Sequence, residues 1–532
     1  MWAVVYLPWL GLLDLLLEEP RRALIARTML ETGDFLVPRL GGEIYTAKPP
    51  LFNWLIAFSA WIGGGLSELT ARLPSALAVL VLALAMVTTL GGRLSRPGLL
   101  YLGAALILAP EFIAKGTLAE IETLFTLLVA ASVWSWFLLE QRGSAGWRLW
   151  LLPLCFVALA YLAKREPAVV FFYLSVVPYL LVKKRWRELF SVGHLLSAML
   201  LVAIVGGWLS LVALQIGWGE LWDTLQREVL QRGASQGWAA VATHVALYPV
   251  ELFVALLPFS LPLPLLISGS VRRSVSGRYG SLFLFCSLAV ICNLPVYWFR
   301  GDVSVRYFMP MFPLVLLLAA MIFETLWQEP DCLDTGSRRY LRVVFWGVAA
   351  VGALLGLLLL ASVALPWFSE TRQALLPAWL AVGIAMVSGA ALWWCYRSYR
   401  IRCGETLLLL FVVTVLVGRA LYFNLVLPDK WLRVQQERNA PAIVEKIRSA
   451  TGGARVFAQG VPWAIWYYAP TDMMARLSEE TVPMAEWLLL DAGASPPKMA
   501  DSVPVVETAR FSYKGQALVL FRRGLAESPG AP

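Results

Sequence analysis

Charge is scarce in this chain: Asp, Glu, Lys and Arg supply only 15% of its 532 residues, while apolar side chains supply 59%. A soluble domain is nearer a quarter charged and half apolar, so a soluble enzyme and a disordered chain are both excluded. Histidine is almost missing, with only His194 and His244. The cysteines, Cys155, Cys286, Cys292, Cys332, Cys395 and Cys403, avoid the stretches 18–67 and 218–245 and the tail after 427. That excludes a disulfide-stapled framework in those segments. Internal repeats and low-complexity tracts are absent as well. What the chain has in excess is apolar length, with mean hydropathy +0.69, and that surplus calls for a lipid bilayer. A net charge of +9 would suggest nucleic acid in a soluble protein. In a membrane protein it reflects Lys and Arg gathered in cytoplasmic loops, so no nucleic-acid partner is expected.

A helical span needs about 17 to 25 apolar residues, and about 13 transmembrane helices are expected. Their approximate bounds are 1–17, 68–90, 97–114, 121–140, 147–163, 167–182, 190–217, 246–269, 281–298, 306–327, 342–366, 375–395 and 405–426. One set of loops collects basic residues, among them Lys183, Lys184, Arg185 and Arg187, Arg272, Arg273 and Arg278, and Arg338, Arg339 and Arg342. The short loops opposite hold only Lys115, Lys164, Arg165, Arg300, Arg306 and Arg372. The richer side is cytoplasmic, and an odd number of spans places the loop 18–67, the loop 218–245 and the tail outside. The first stretch is short, carries Asp14 and has neither a basic flank nor a small-residue cleavage site. It is read as a trimmed first helix and not as a cleavable signal. The tail, 428–532, changes character: Gln435–Ser449 reads as an amphipathic helix, and Arg455–Gln459, Trp487–Asp491 and Ala517–Phe521 read as short buried strands. A small α/β domain is expected there.

Polar groups set in apolar sequence mark function in a membrane protein because each is costly to place. The first outer loop reads Glu18-Glu19-Pro20-Arg21-Arg22, then a helical stretch Ala23–Thr32, then Tyr45-Thr46-Ala47-Lys48-Pro49-Pro50. The apolar run Leu51–Ile62 is too short to span and fits a helix lying along the interface. A second acidic pair, Glu120 and Glu122, heads the fourth span. Helix-start anions would also explain both acidic pairs, interfacial snorkelling would explain Lys48, and an aromatic belt would explain Tyr45 and Tyr307. Arg419, inside the last span, is read as structural.

The stretch EEPRRALIARTMLETGDFLVPRLGGEIYTAKPPLFNWLIA, followed by ELTARLPSAL, GTLAEIETL and RYFMPMFP, closely resembles bacterial glycosyltransferase family 39. That family has the GT-C membrane fold and includes the lipid A aminoarabinose transferases and relatives of protein O-mannosyltransferases. The resemblance covers most of residues 18–325. It implies transfer of a sugar from a polyprenyl-phosphate carrier to a lipid, glycan or protein acceptor, at the periplasmic face of a bacterial inner membrane. Residues 1–427 are then expected to form the catalytic membrane domain, with 18–67 its first periplasmic loop, and 428–532 a periplasmic α/β domain.

The resemblance also assigns residues. It puts the general base at Glu18, where the family usually has Asp, with Glu19 as a rival. Lys48 corresponds to the lysine that meets the carrier phosphate. Arg21, Tyr45, Arg306 and Tyr307, and Arg232 in the loop 218–245, are further phosphate-site candidates, and Lys164 and Arg165 come second to them. The turn at Lys164 reads Lys-Arg-Glu-Pro where the family has a Lys-Gly-Pro-like sequence. Ala47 stands where the lipid A enzymes have a metal-binding Glu, so a zinc site is not expected, while Mg²⁺ or Mn²⁺ at Glu19, Glu120 and Glu122 stays open. The alternative from another class is a lipid-linked sugar flippase or transporter. Such a protein would favour broken helices with polar groups near mid-membrane and internal symmetry.

Overall fold

The structure is a computed structural model and describes residues 1–231, 238–301, 303–364, 377–398, 403–428, 439–478, 481–494 and 505–523. Among these, nine helices are long and apolar enough to cross a bilayer, from Glu68–Leu90 to Glu405–Val426. An apolar pair, Arg96–Leu108 followed by Pro110–Gly116, is bent by 48° and makes a tenth if it counts as one span. Pro110 supplies no N–H to the preceding turn, which is the usual cause of such a kink. The chain is a multi-pass membrane protein.

Three expected spans differ from the sequence reading. Pro167–Val182 and Val241–Ala255 are helical but shorter than a full crossing. The second was expected to continue to residue 269, but Pro258, Pro262 and Pro264 interrupt it and only a 3-10 turn, Leu263–Ile267, follows. Residues 1–17 are a five-residue helix, Trp2–Tyr6, and a 3-10 turn, Leu7–Trp9, with no further helix before Glu19. Pro8 removes one ladder donor there. Leu17 then takes a left-handed backbone at φ 56°, an uncommon conformation for a leucine.

The first outer loop is ordered by local rules. Pro20, at the first turn of the helix Glu19–Thr32, has its φ pre-set for a helix start, and Gly33 ends that helix in the left-handed region. Strands β1 (Arg39–Leu40) and β2 (Glu43–Ile44) form a hairpin closed by Gly41-Gly42. Both glycines have positive φ, as a tight hairpin turn requires. Leu51–Ile62 is helical, as expected.

In the tail, the helix Ala440–Thr451 precedes a five-stranded sheet. Its strands are β3 (Val456–Gln459), β4 (Met474–Arg476), β5 (Trp487–Asp491), β6 (Val505–Tyr513) and β7 (Gln516–Arg523), in the order β4-β3-β5-β7-β6. The first three are parallel and the last two pairings antiparallel. Central β5, Trp-Leu-Leu-Leu-Asp, is buried through its four apolar residues, as expected of a strand covered on both faces. Between β3 and β4 the short helix Trp463–Tyr468 faces the first loop. Arg27 donates to the carbonyls of Trp466, Tyr467 and Ala469 at 2.6–3.0 Å. Tyr468 donates to Glu68 at 2.8 Å and accepts from the Leu15 N–H at 2.9 Å. Burial pushes the Tyr468 hydroxyl far above its usual range, so it stays protonated and donates at any physiological pH.

Removing the Arg27 contact orphans three carbonyls. Arg27→Ala is therefore expected to weaken docking of this unit by about 2–3 kcal/mol. Limited proteolysis should show faster cleavage in the tail while the transmembrane helices stay protected.

Candidate active site

The helix start at Pro20 decides what the two glutamates do. Successive helical residues point about 100° apart, so Glu18 and Glu19 leave the turn on different sides. Glu18 is partly exposed and lines a polar cavity of about 760 Å³. It accepts from Arg21 Nη1 at 2.7 Å, one turn along the helix. Glu19 is fully buried on the other side. Its Oε1 takes Arg72 Nε and the Ala119 N–H, both at 2.7 Å, and its Oε2 takes Arg72 Nη2 and the Leu16 N–H. The remaining Arg72 donors go to the carbonyls of Leu10, Leu13 and Asp14. Glu19 is thus a buried latch joining the N-terminal segment, the helix Glu68–Leu90 and the approach to Glu120, and the cavity lies elsewhere.

The other cavity walls come from helix ends and the hairpin. The hairpin and the following turn deliver Glu43, Tyr45 and Lys48. The loop before Glu122–Gln141 brings Glu120 and Glu122, the end of Trp147–Lys164 brings Lys164, and the start of the segment Val305–Gln328 brings Arg306 and Tyr307. Lys115 Nζ lies 2.9 Å and Arg306 Nη1 3.8 Å from Glu120, and Lys164 Nζ lies 3.1 Å from Glu122. Lys164 also sits 4.7 Å over the Tyr307 ring, and the Arg306 guanidinium 5.4 Å over the same ring. Arginines on a flat ring and carboxylates on lysines hold these cations in place before any ligand arrives.

Of the residues expected from sequence, Glu18, Arg21, Tyr45, Lys48, Glu120, Glu122, Lys164, Arg306 and Tyr307 therefore converge. Glu19 does not. Arg165 takes a left-handed backbone at φ 70°, pairs with Glu166 at 3.0 Å and does not line the cavity. Arg232 lies outside the described residues. Sequence reasoning missed Arg22, Glu43, Trp463 and Arg476, which also line the cavity. Trp463 packs so close to the hairpin that a Cβ on Gly41 would lie 2.9 Å from its ring, and Arg476 pairs with Glu43. Both come from the tail, some 400 residues away in sequence, so nothing local could have pointed to them.

The acidic residues do not fit a divalent ion. Mg²⁺ and Mn²⁺ want several oxygen ligands around one point, yet Glu19 is enclosed by Arg72, Glu120 is bonded to Lys115 and Glu122 to Lys164. Among the described residues no three His, Cys, Asp or Glu side chains converge.

A ring of helix ends at one face of a membrane bundle, with cations and a carboxylate around a polar cavity and an α/β unit above it, is the GT-C architecture. The chain shares it with crystal structures of ArnT from Cupriavidus metallidurans. The apo structure aligns with TM-score 0.67 at 17% identity, covering 97% of this chain and 95% of that one. The structure bound to undecaprenyl phosphate aligns with TM-score 0.68 at 18% identity, covering 100% and 98%. In sequence, residues 47–210 match the family described as dolichyl-phosphate-mannose-protein mannosyltransferase. The chain is 29% identical over 349 residues to an undecaprenyl phosphate-alpha-4-amino-4-deoxy-L-arabinose arabinosyl transferase of Edwardsiella ictaluri, covering 63% of this chain and 60% of that protein. It is 32% identical over 183 residues to a transferase 2 of the same description from Sodalis glossinidius, covering 34% and 33%. The matches thus span about 60% of the Edwardsiella relative's length and about a third of the Sodalis one's. The chain has the fold of those ArnT structures and resembles the aminoarabinose transferases in sequence.

Proposed function

We propose that the chain is an integral membrane glycosyltransferase that takes a sugar, a pentose or a hexose, from a polyprenyl-phosphate donor and passes it to a lipid, glycan or protein acceptor. The observation that carries this reading is the meeting of Glu18, held by Arg21, with Lys48, Lys164 and Arg306 in one polar cavity. In the reaction, the acceptor oxygen attacks the anomeric carbon while Glu18 takes its proton. The bond from that carbon to the carrier phosphate breaks, and Lys48 and Arg306 stabilise the charge that grows on the departing phosphate. Tyr45 and Tyr307 frame that phosphate. The relatives named above use an undecaprenyl-phosphate-linked sugar, which supports the same donor class here.

An apolar cavity of about 1000 Å³ lies on the other side of residues 16–19, lined by Leu16, Leu17, Arg72, Thr117 and Leu118 and by the helices around Val344 and Gly418. It suits the isoprenoid chain of the donor. A flippase reading has less in its favour, because the charged groups of the polar cavity gather at helix ends.

The site residues all belong to segments that the Lys/Arg distribution assigns outside. We therefore take residues 1–427 as the membrane domain, with the shorter helices Pro167–Val182 and Val241–Ala255 as further crossings. Residues 428–532 are then a periplasmic unit over the site, in a bacterial inner membrane.

Mass spectrometry of polyprenyl-phosphate sugars and envelope glycoconjugates, in cells carrying wild type or Lys48→Ala, tests the reading. One carrier-linked sugar should accumulate in the variant while one acceptor loses that sugar. Unchanged glycoconjugates in cells where the variant is made and inserted would sink it.

A further inference from the structure

We infer that Arg22 is an oxyanion-binding residue of this site, placed to hold a phosphate-type group of a substrate. The inference extends the glycosyltransferase reading and rests on it only for where that group comes from.

Arg22 is 5% exposed and lines the polar cavity. An arginine so far from water is ordinarily held by a carboxylate or by backbone carbonyls. Other arginines here follow that rule: Arg72 has Glu19 and three carbonyls, Arg27 has three carbonyls, and Arg21 has Glu18. Arg22 departs from it. Among the described residues no carboxylate lies within ion-pair distance of its guanidinium, and its buried Nη1 has no hydrogen-bond partner. The guanidinium lies 5.6 Å from the centre of the Tyr45 ring. A ring face attracts the charge but accepts nothing from the in-plane N–H donors.

The acids of the cavity wall are paired with other cations. Glu18 is taken by Arg21, Glu43 by Arg476, Glu120 by Lys115 and Glu122 by Lys164. The matching group must therefore arrive with a ligand. A planar fork of donors in the wall of a polar cavity fits a phosphate-type oxyanion, which can take two parallel N–H bonds. Two substrates could bring such a group: the donor, through its carrier phosphate, and the acceptor, through an acid of its own.

The test uses the full chain in nanodiscs, as wild type, Arg22→Gln, Arg22→Lys and Lys48→Ala. Undecaprenyl phosphate is titrated first, then inorganic phosphate onto the carrier-saturated protein. Thermal unfolding is followed without ligand. Arg22→Gln is expected to unfold at or above the wild-type temperature, since it removes a buried charge that has no partner. It should also lose about tenfold or more in affinity for one of the probes, with Arg22→Lys retaining most of that affinity. Loss of undecaprenyl phosphate assigns Arg22 to the carrier, and loss confined to inorganic phosphate assigns it to the second substrate. Both affinities within twofold of wild type in Arg22→Gln would overturn the inference. So would a variant that fails to fold or melts well below wild type, because Arg22 would then be a packing residue. If the wild type binds no undecaprenyl phosphate, the glycosyltransferase reading is what fails. If Lys48→Ala loses the carrier while Arg22→Gln keeps both probes, only the assignment of Arg22 fails.

Discussion

Glu18→Gln is expected to give a folded protein that still binds the carrier lipid but has lost about 10²- to 10⁴-fold in kcat, the range for removing a general base. The amide keeps the size of the side chain and can still accept from Arg21, so the cavity wall survives. What goes is the ability to take the acceptor proton. KM for the donor should move by no more than a few-fold, because the donor phosphate is held by other groups. Glu18→Asp keeps the chemistry but draws the carboxylate back by one methylene. It should fall between the two, since a small misplacement of a reacting group is costly. Initial rates with the purified chain and a carrier-linked sugar would decide it. A Glu18→Gln enzyme within tenfold of wild type would remove Glu18 from the reaction.

The adjacent Glu19→Gln should fail in the opposite way. Glu19 and Arg72 form a fully buried pair, and taking away one charge leaves the other stranded in a medium that solvates it badly. The expected loss is about 3–5 kcal/mol, a large share of the roughly 5–15 kcal/mol that holds a typical fold together. Glu19→Gln should therefore reach the membrane in reduced amount and melt early in detergent, as measured by size-exclusion after a heating series. Pairing it with Arg72→Leu should recover part of the loss, because the stranded charge goes too. If Glu19→Gln were as stable as wild type and merely inactive, the roles of the two glutamates would have to be exchanged.

This division of labour was only half legible in the sequence. Both acids stand out because carboxylates in apolar sequence are costly, and so do Tyr45, Lys48, Glu120 and Glu122. Which acid faces the cavity depends on the helix start and on Arg72, 53 residues away, and no local pattern carries that. Arg22 was hidden for the same reason: beside Arg21 it looks like half of a basic pair, and only its burial separates it. In the tail, β5 was plain because four of its five residues are apolar. Strand β6 was not, since most of its side chains are exposed or half-exposed and its pairing with β7 is what makes it a strand. The first stretch has the composition of a membrane helix but not the backbone of one, because composition sets where a segment partitions while Pro8 limits what it can form.

One link between the tail and the first loop is an arginine that grips main-chain oxygens, and these are present whatever the side chains at 466, 467 and 469. That link is therefore tolerant of sequence drift, while Trp463 and Arg476 at the cavity rim are free to change. Such an arrangement lends itself to grafting. A tail exchanged between related chains can keep its seat and carry a different rim to the same cavity.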